Sequence, residues 1–405
     1  MTKSCLIFID PGYLQNTGHY ENYARSISAE ATIQFTEFYH YVNREVSEEY
    51  AKSHSLIRWF PCKAHINYPD LKDQYFMGFY TDSFASKLLA LLRKHIETLS
   101  RDDSIYLFMY TGHPRLLPLI AEVVNLPEFN KYNISVTYNL FYVSNSFSLN
   151  IINHDYIEMI TEVAKALTEK DKLRRIKIFA DSKRIIKDYQ NFFNQKLNLL
   201  PIPFGVKKTV ENKKLNSQTI KLGYLGYTHS KQGYQYMKPL YMDILRKPEL
   251  SNVILKIRHN ITDINASIVK DLRTLVGSTE RIENYVNKFT DHEYDQFFED
   301  SDIILIPYQF ELYPIQTSGV VVDALSRSKP IIVPENTWLS DQIEQFGAGV
   351  KFNGRDYESL LCAIIKATKT IDSLRKKASN NIEKFVEFHS PKTLICCIKG
   401  VTNES

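Results

Sequence analysis

The sequence predicts an α/β protein of two Rossmann-like, doubly wound domains facing each other across a cleft. Three observations predict it. The chain has 405 residues, too many for one comfortable core, so two domains of roughly 200 residues are expected. Short apolar runs alternate with longer helical patterns, the signature of β-α-β units around a parallel sheet. After a stretch rich in Pro, Lys and Asn, the alternation starts again.

Taken in order, "CLIFID" (5–10) is a first strand, and a helix from about Glu21 to Ala31 follows the loop "PGYLQNTGHY". "FASKLLALLRKHIETL" (84–99) is amphipathic, with Leu88, Leu89, Leu91, Leu92, Ile96 and Leu99 on one side. "SIYLFMY" (104–110) is a buried strand, and "TGHPRLLPLIAEVV" opens a helix behind it. "SVTYNLFYV" (135–143) and "RIKIFAD" (175–181) complete the strands of the first domain. "LLPIPFGVKKTVENKKLNSQ" (199–218) marks the boundary. "TIKLGYLG" (219–226) then begins a second set, with a helix starting near Gly233. "NVILKIRHN" (252–260), "IENYVN" (282–287), the strand within 292–308 and "KPIIVP" (329–334) continue it. The expected organisation is a first Rossmann-like domain over 1–205, a linker over 206–218 and a second Rossmann-like domain over 219–385. A closing helix within 386–405 is expected to pack back on the first domain.

Composition narrows the function. With 44% hydrophobic and 24% charged residues the chain is an ordinary globular protein rather than a disordered one. A net charge of +4 argues against a nucleic-acid partner, which calls for a concentrated basic face. Five cysteines without CxxC spacing argue against a disulfide framework and a zinc site. The start "MTKSCLIFIDPG" lacks a signal pattern, and no apolar run approaches the roughly 20 residues that span a bilayer. A cytoplasmic protein is expected. The basic stretch "DKLRRIK" (171–177) and Lys87, Arg93 and Lys94 leave open a peripheral contact with anionic lipid of the inner membrane.

In doubly wound sheets, ligands bind outside the carboxyl ends of the strands, so the loops just after each strand carry the information. In "GYLGYTHSKQGY" (223–234), Gly223 and Gly226 permit close backbone approach and Lys231 is placed to meet a phosphate. The stretch is neither a P-loop nor GxGxxG, and a plain glycine turn would explain it too. In "YPIQTSGVVVDALSRSKPIIVP" (313–334), Thr317, Ser318, Gly319 and Val320 open a helix whose bare N–H groups suit a diphosphate. Ser318 acting only as a helix cap is the plainer alternative. Asp323, one turn further on, has the reach to accept hydrogen bonds from a ribose diol. His113 in "TGHP" is a candidate for contacting a sugar hydroxyl or the leaving group, beside an ordinary structural role. Gly18 and His19 in "NTGHY" are candidates for an acceptor or sugar contact, beside a simple turn.

These pieces in this order resemble a GT-B glycosyltransferase, nearest to the retaining family 4 of the sequence-based classification. The specific part is 300–349. There Tyr313, Ser318, Gly319, Val320, Asp323, Lys329, Pro330, Thr337 and Trp338 are similar to a bacterial subgroup with a Ser-Gly-Val donor loop. "LPIPF" (200–204), "GHY" near the start and "ADSKRIIKDY" (180–189) also fit. The resemblance implies a nucleotide-sugar donor (UDP-, GDP- or TDP-linked), no cofactor, no metal and retention of anomeric configuration. It assigns Gly226, Lys231, Ser318 and Gly319 to the diphosphate, Asp323 to ribose, Arg258 to the leaving group, and places His113 and Tyr313 near the transferred sugar. The acceptor it implies is a glycan, a lipid-linked glycan or a protein. The abundance of Lys, Asn and Ile suggests an AT-rich genome, and bacterial surface-glycan synthesis is the expected setting.

The sequence departs from that family in four places. Eight positions before Asp323, where the family has a first glutamate, stands Ile315; the second acid is Asp; the usual Lys-Gly is spread as Lys231-Gln232-Gly233; and Arg258 sits in "KIRHN" instead of the family's glycine-rich turn. Glu311 is the nearest substitute for the first acid. The missing acid motivates a competing expectation, a GT-B chain without catalysis that serves as partner or scaffold to another transferase. A nicotinamide dehydrogenase is disfavoured without GxGxxG.

Overall fold

A computed structural model of the chain describes residues 2–14, 19–61, 74–140, 154–168, 171–193, 195–203, 219–226, 232–259, 279–286, 289–310 and 315–401. It divides into two compact units, one of residues 1–205 with 389–405, the other of 206–388.

The first unit runs β1 (Ser4–Asp10), α1 (His19–Gln34), β2 (Glu37–Asn43), α2 (Glu48–Ser53), β3 (Leu56–Phe60) and α3 (Gln74–Ile96). It continues through β4 (Ser104–Gly112), α4 (Leu116–Val124), β5 (Asn133–Leu140), α5 (His154–Ala166), β6 (Ile176–Ala180), α6 (Lys183–Gln190) and β7 (Asn198–Leu199). These strands form one sheet in the order β3-β2-β1-β4-β5-β6-β7, every pair parallel. A parallel strand covered on both faces reads as an unbroken apolar run, which is why "CLIFID" is buried from Cys5 to Asp10. Truncating a fully buried residue of this layer, such as Leu107, to alanine should cost about 2–5 kcal/mol.

The second unit runs β8 (Ile220–Tyr224), α7 (Met237–Arg246), β9 (Val253–Arg258), β10 (Ile282–Tyr285), α8 (Asp291–Glu299), β11 (Ile303–Leu305) and α9 (Gly319–Ser326). Then come β12 (Ile331–Pro334), α10 (Trp338–Phe346), β13 (Gly349–Phe352), α11 (Tyr357–Lys369) and α12 (Ile371–Phe388). Its sheet has the order β10-β9-β8-β11-β12-β13, again all parallel. Both sheets therefore share the doubly wound order 3-2-1-4-5-6, and in each the winding reverses beside its first strand. Helix starts are set by local chemistry. Thr290 and Glu293 form a reciprocal capping box at α8, Thr337 and Ser340 do the same at α10, and the Asp356 carboxylate caps α11. The last helix, α13 (Pro391–Lys399), belongs to the first unit and packs on α1, β4 and β5. Lys399 Nζ donates to the Gln34 carbonyl at 2.7 Å, and the Ile202 N–H donates to His389 Nδ1 at 3.0 Å.

Candidate functional site

The second sheet reverses its winding between β8 and β11, so its site is built at the carboxyl ends of these strands. Three glycines shape it. A Cβ on Gly223 would meet Ser301 Oγ at 2.5 Å, and one on Gly226 would meet the Tyr224 hydroxyl at 2.5 Å. Gly233 is the most constrained. Its φ is +78°, and a Cβ there would lie 1.8 Å from the Pro307 carbonyl oxygen. At Gly233 the chain is thereby pressed onto the segment leaving β11 just before α7, which only glycine allows.

Beyond β11, Ser318 occupies the N-cap of α9 with extended backbone (φ −134°, ψ 120°). Its side chain makes no capping hydrogen bond, and the buried Oγ has no partner. Its carbonyl accepts from Val321 and Val322. The N–H groups of Gly319 and Val320, first in the helix, have no carbonyl a turn earlier to bond. Thr317, Gly319 and Val320 are all half-buried. The plainer alternative for Ser318, a satisfied helix cap, is not what the side chain does.

Across β8, Arg258 ends β9. Its guanidinium lies 5.0 Å from the Phe289 ring, its Nε is buried without a partner, and no carboxylate among the described residues pairs with it. The neighbouring backbone is braced from below. Tyr234 donates to His259 Nδ1 (2.9 Å), and His259 Nε2 donates to Asn284 Oδ1 (2.8 Å), which also accepts from Tyr241 (2.5 Å). This pattern fixes a neutral His259 imidazole with its proton on Nε2. Arg258 thus ends β9 and α9 follows β11, the two strands that flank β8, and Gly226 lies just after the carboxyl end of β8.

Asp323 lies one turn into α9 and is 7% exposed. Its Oδ2 accepts from Tyr294 at 2.8 Å and its Oδ1 from Arg327 at 3.0 Å, while Arg327 also reaches Asp295 at 2.8 Å. Burial raises the Asp323 carboxyl above the usual range, against the opposing pull of the Arg327 guanidinium. Asp323 therefore ties α9 to α8. Lys329 likewise donates to the Glu299 carbonyl at 3.0 Å, and burial pushes it down to about 8. Thr337 and Trp338 begin α10. Ile315, at the position of the missing acid, is 5% exposed.

The first sheet reverses its winding between β1 and β4. Asp10, at the end of β1, is 1% exposed and accepts from the Thr111 hydroxyl at 3.1 Å. Burial pushes its carboxyl up to about 7, held back by the Thr111 and Gly12 donors. The register of β4 against β5 shifts between Met109 and Gly112, a bulge of the kind that re-aims side chains beside a site. A Cβ on Gly112 would meet the Asn139 carbonyl oxygen at 2.4 Å. His113 follows, 2% exposed, with burial and the Arg115 charge pushing it down to about 3. Its Nδ1 accepts the Arg115 N–H at 3.3 Å, so the neutral ring carries its proton on Nε2. Its carbonyl accepts from Tyr138 at 2.5 Å.

Gly18, Lys231, Tyr313 and Glu311 lie outside the described residues, as does the 206–218 linker; of His19 the structure describes the backbone, which opens α1. Sequence reasoning missed Asp10, Thr111, the His259 brace and the special status of Gly233. The available signals were an acid closing an apolar strand and a glycine set before a helix.

No family profile matches the chain, and no curated protein does. Solved structures do. A glycosyltransferase from Rickettsia africae superposes with TM-score 0.63 at 13% identity, covering 100% of both chains. HepE of Anabaena, solved with UDP and glucose, gives 0.59 at 12%, covering 99% of each. WaaG, a glycosyltransferase of lipopolysaccharide biosynthesis, gives 0.60 at 12%, covering 98% of this chain and 100% of its own. At such identities the likeness is one of fold. The chain has the two-sheet α/β architecture of the GT-B glycosyltransferases.

Proposed function

We propose that the chain is a glycosyltransferase that moves a hexose-type sugar from a nucleoside-diphosphate sugar to a hydroxyl of a glycan, lipid-linked or protein acceptor. One observation carries this: β9 and β11 flank β8, β9 ends in Arg258, whose buried Nε has no partner and which no described carboxylate pairs, and β11 leads to the helix that starts uncapped at Ser318–Gly319. When the sugar–phosphate bond breaks, its electron pair stays on the diphosphate. The groups worth most are fixed donors and charges that already face the developing charge. Arg258 and the first N–H groups of α9 are such groups, and Lys231 is assigned to the same phosphates. Gly226 lets the backbone approach them. Asp323 acts first by anchoring α9, with the ribose contact as a second role, since Tyr294 and Arg327 already take both of its oxygens. His113 enters as a neutral hydrogen-bonding group near the transferred sugar, and Gly18, His19 and Tyr313 as acceptor or sugar contacts.

The structure of HepE with UDP and glucose supports UDP as the first donor nucleotide to test, ahead of GDP and TDP. Retention, independence of metal, membership of the Ser-Gly-Val subgroup and a place in bacterial surface-glycan synthesis follow from the sequence resemblance and belong to the same proposal. So does a cytoplasmic location with peripheral membrane contact; no described helix is long and apolar enough to cross a membrane.

The test is a thermal-shift series with UDP, GDP, TDP, CDP and ADP without added metal, followed by donor hydrolysis. A ligand bound only by the folded state raises the melting temperature. One nucleotide is expected to do so, and to lose its effect in Arg258→Ala. No shift with any of them at millimolar concentration would remove the donor site. The buried Ile315 in place of the first acid favours one second reading, a non-catalytic partner of another transferase. Donor binding without hydrolysis or transfer would move the assignment there.

A further inference from the structure

The first sheet has a second edge that the proposed sugar chemistry does not use. Its strands are all parallel, so the amino ends of β4, β5 and β6 lie together, opposite Asp10 and His113. There a cleft of about 430 Å³ is lined by Tyr132, Asn133, Ile134, Ser135, Arg174, Arg175 and Lys177. Three of these are cations, the side chains of Tyr132, Asn133 and Ser135 can donate hydrogen bonds, and no carboxylate among the described residues lines the cleft.

The cations are held by neutral oxygens. Arg175 donates to the carbonyls of Val124 (3.0 Å) and Phe129 (3.1 Å), and Arg174 to Asn125 Oδ1 (3.0 Å) and Asn130 Oδ1 (2.6 Å). Lys177 stands exposed on β6. Among the described residues, no carboxylate forms an ion pair with any of the three. Three other basic residues of this unit are held differently. Arg93 pairs with Glu128 at 2.8 Å, Arg58 with Glu48 at 2.7 Å, and Lys87 lies over the Trp59 ring. The turn that carries the cations begins at Asp171, whose φ is +74° and whose carbonyl accepts the Arg174 N–H, so Arg174 and Arg175 are set side by side. Burial and the neighbouring Arg174 both lower the Arg175 guanidinium, as expected of like charges without a counter-charge. Guanidinium groups oriented in advance and left un-neutralised match the tetrahedral oxygens of a phosphoryl group.

We propose that this cleft binds the phosphate of a phosphate ester, on the edge of the first sheet opposite Asp10 and His113. The phosphoryl group can arrive on a soluble ligand or as the headgroup of an anionic phospholipid, and the chemistry recognised is the same.

The test uses the full chain, inorganic phosphate by calorimetry, and flotation with phosphatidylglycerol-containing against pure phosphatidylcholine vesicles. Lys177→Glu and Arg174→Glu are compared with wild type and with Arg258→Ala, which lies in the other unit. Both charge-reversed side chains are exposed; Lys177→Glu should melt as wild type does, and Arg174→Glu, which also loses its bonds to Asn125 and Asn130, should melt slightly lower; Arg175, which anchors two carbonyls, is left intact. Loss of one charge-assisted contact should weaken binding roughly tenfold. Binding to inorganic phosphate that falls in Lys177→Glu but not in Arg258→Ala supports a soluble ligand. Flotation only with the anionic vesicles, lost in Lys177→Glu, supports a lipid headgroup. Phosphate binding that falls only in Arg258→Ala would place the anion at the carboxyl edge of the second sheet and overturn the proposal. So would no binding to either probe, or binding unchanged in both charge-reversed variants.

Discussion

The two sheets share one strand order and fill their carboxyl edges differently. In the first unit the groups at the ends of β1 and β4 bond one another: Asp10 takes the Thr111 hydroxyl, His113 takes the Arg115 N–H, and Tyr138 closes on the His113 carbonyl, while Asn139 Oδ1 and Arg115 Nε are left without a partner among the described residues. In the second, Ser318 leaves its helix uncapped and Arg258 faces no acid among the described residues. The fold supplies the same place twice. Under the proposed function, the charge of Arg258 and the bare start of α9, rather than topology, mark the second edge for the anion, because a buried polar group left unpaired is costly unless a ligand completes it.

The hardest way to break this contrast is through the glycines that shape each edge. Gly233→Ala puts a Cβ against the Pro307 carbonyl at positive φ, and should destabilise the second unit by several kcal/mol. Gly112→Ala, with a wider 2.4 Å approach and no positive φ, should cost less. Chemical unfolding of both variants checks the order, and equal losses would mean that the Gly233 turn is relaxed. Next is Arg258→Ala. If its charge serves the leaving diphosphate, kcat should fall at least about a hundredfold with the melting temperature unchanged. Wild-type turnover would end that assignment.

The edge of the first sheet has its own signature in pH. Asp10 has its folded pKa raised to about 7, so between the unfolded carboxylate range near 4 and pH 7 the folded state holds a proton that the unfolded chain has lost. Stability should therefore decline as pH rises through that window, by on the order of a few kcal/mol, and level off above it. Asp10→Asn should lack that component. Parallel slopes for the two proteins would show that Asp10 is solvated.

The finest test is at Ser318. Replacing a true cap by alanine costs about 1 kcal/mol. Here Ser318→Ala should change stability by less than about 0.5 kcal/mol, because no cap is lost. Ser318→Asp should stabilise the helix while weakening nucleotide binding roughly tenfold, as a carboxylate takes the N–H groups and repels the phosphates. A drop in stability for Ser318→Ala would restore the plain cap.

How much of this was legible follows from distance along the chain. "CLIFID" and "SIYLFMY" announce themselves, because a strand buried on both faces must be apolar throughout. β2, "EFYHYVN", and β3, "LIRWF", carry Glu, His and Arg within them and gave no such run. α3 was expected over 84–99 and spans Gln74–Ile96, closing at a turn in which Thr98 bonds the His95 carbonyl. The helix start at Ser318 was legible because small residues, an apolar helix and a strand are adjacent there. Asp10 and Thr111 are 101 positions apart, and Tyr234, His259 and Asn284 come from three separate segments. No local pattern pairs such residues; the sheet order does.

The return of α13 to the first unit bears on how the chain is made. A ribosome releases 1–205 first, yet that body lacks its last helix, its Lys399–Gln34 tether and its His389 contact until the final segment emerges. The second unit is continuous in sequence and can close earlier. The body whose synthesis starts first is thus finished last. A truncation or premature stop near residue 390 should leave the adjacent, already synthesised unit intact and unsettle the one that began hundreds of codons before.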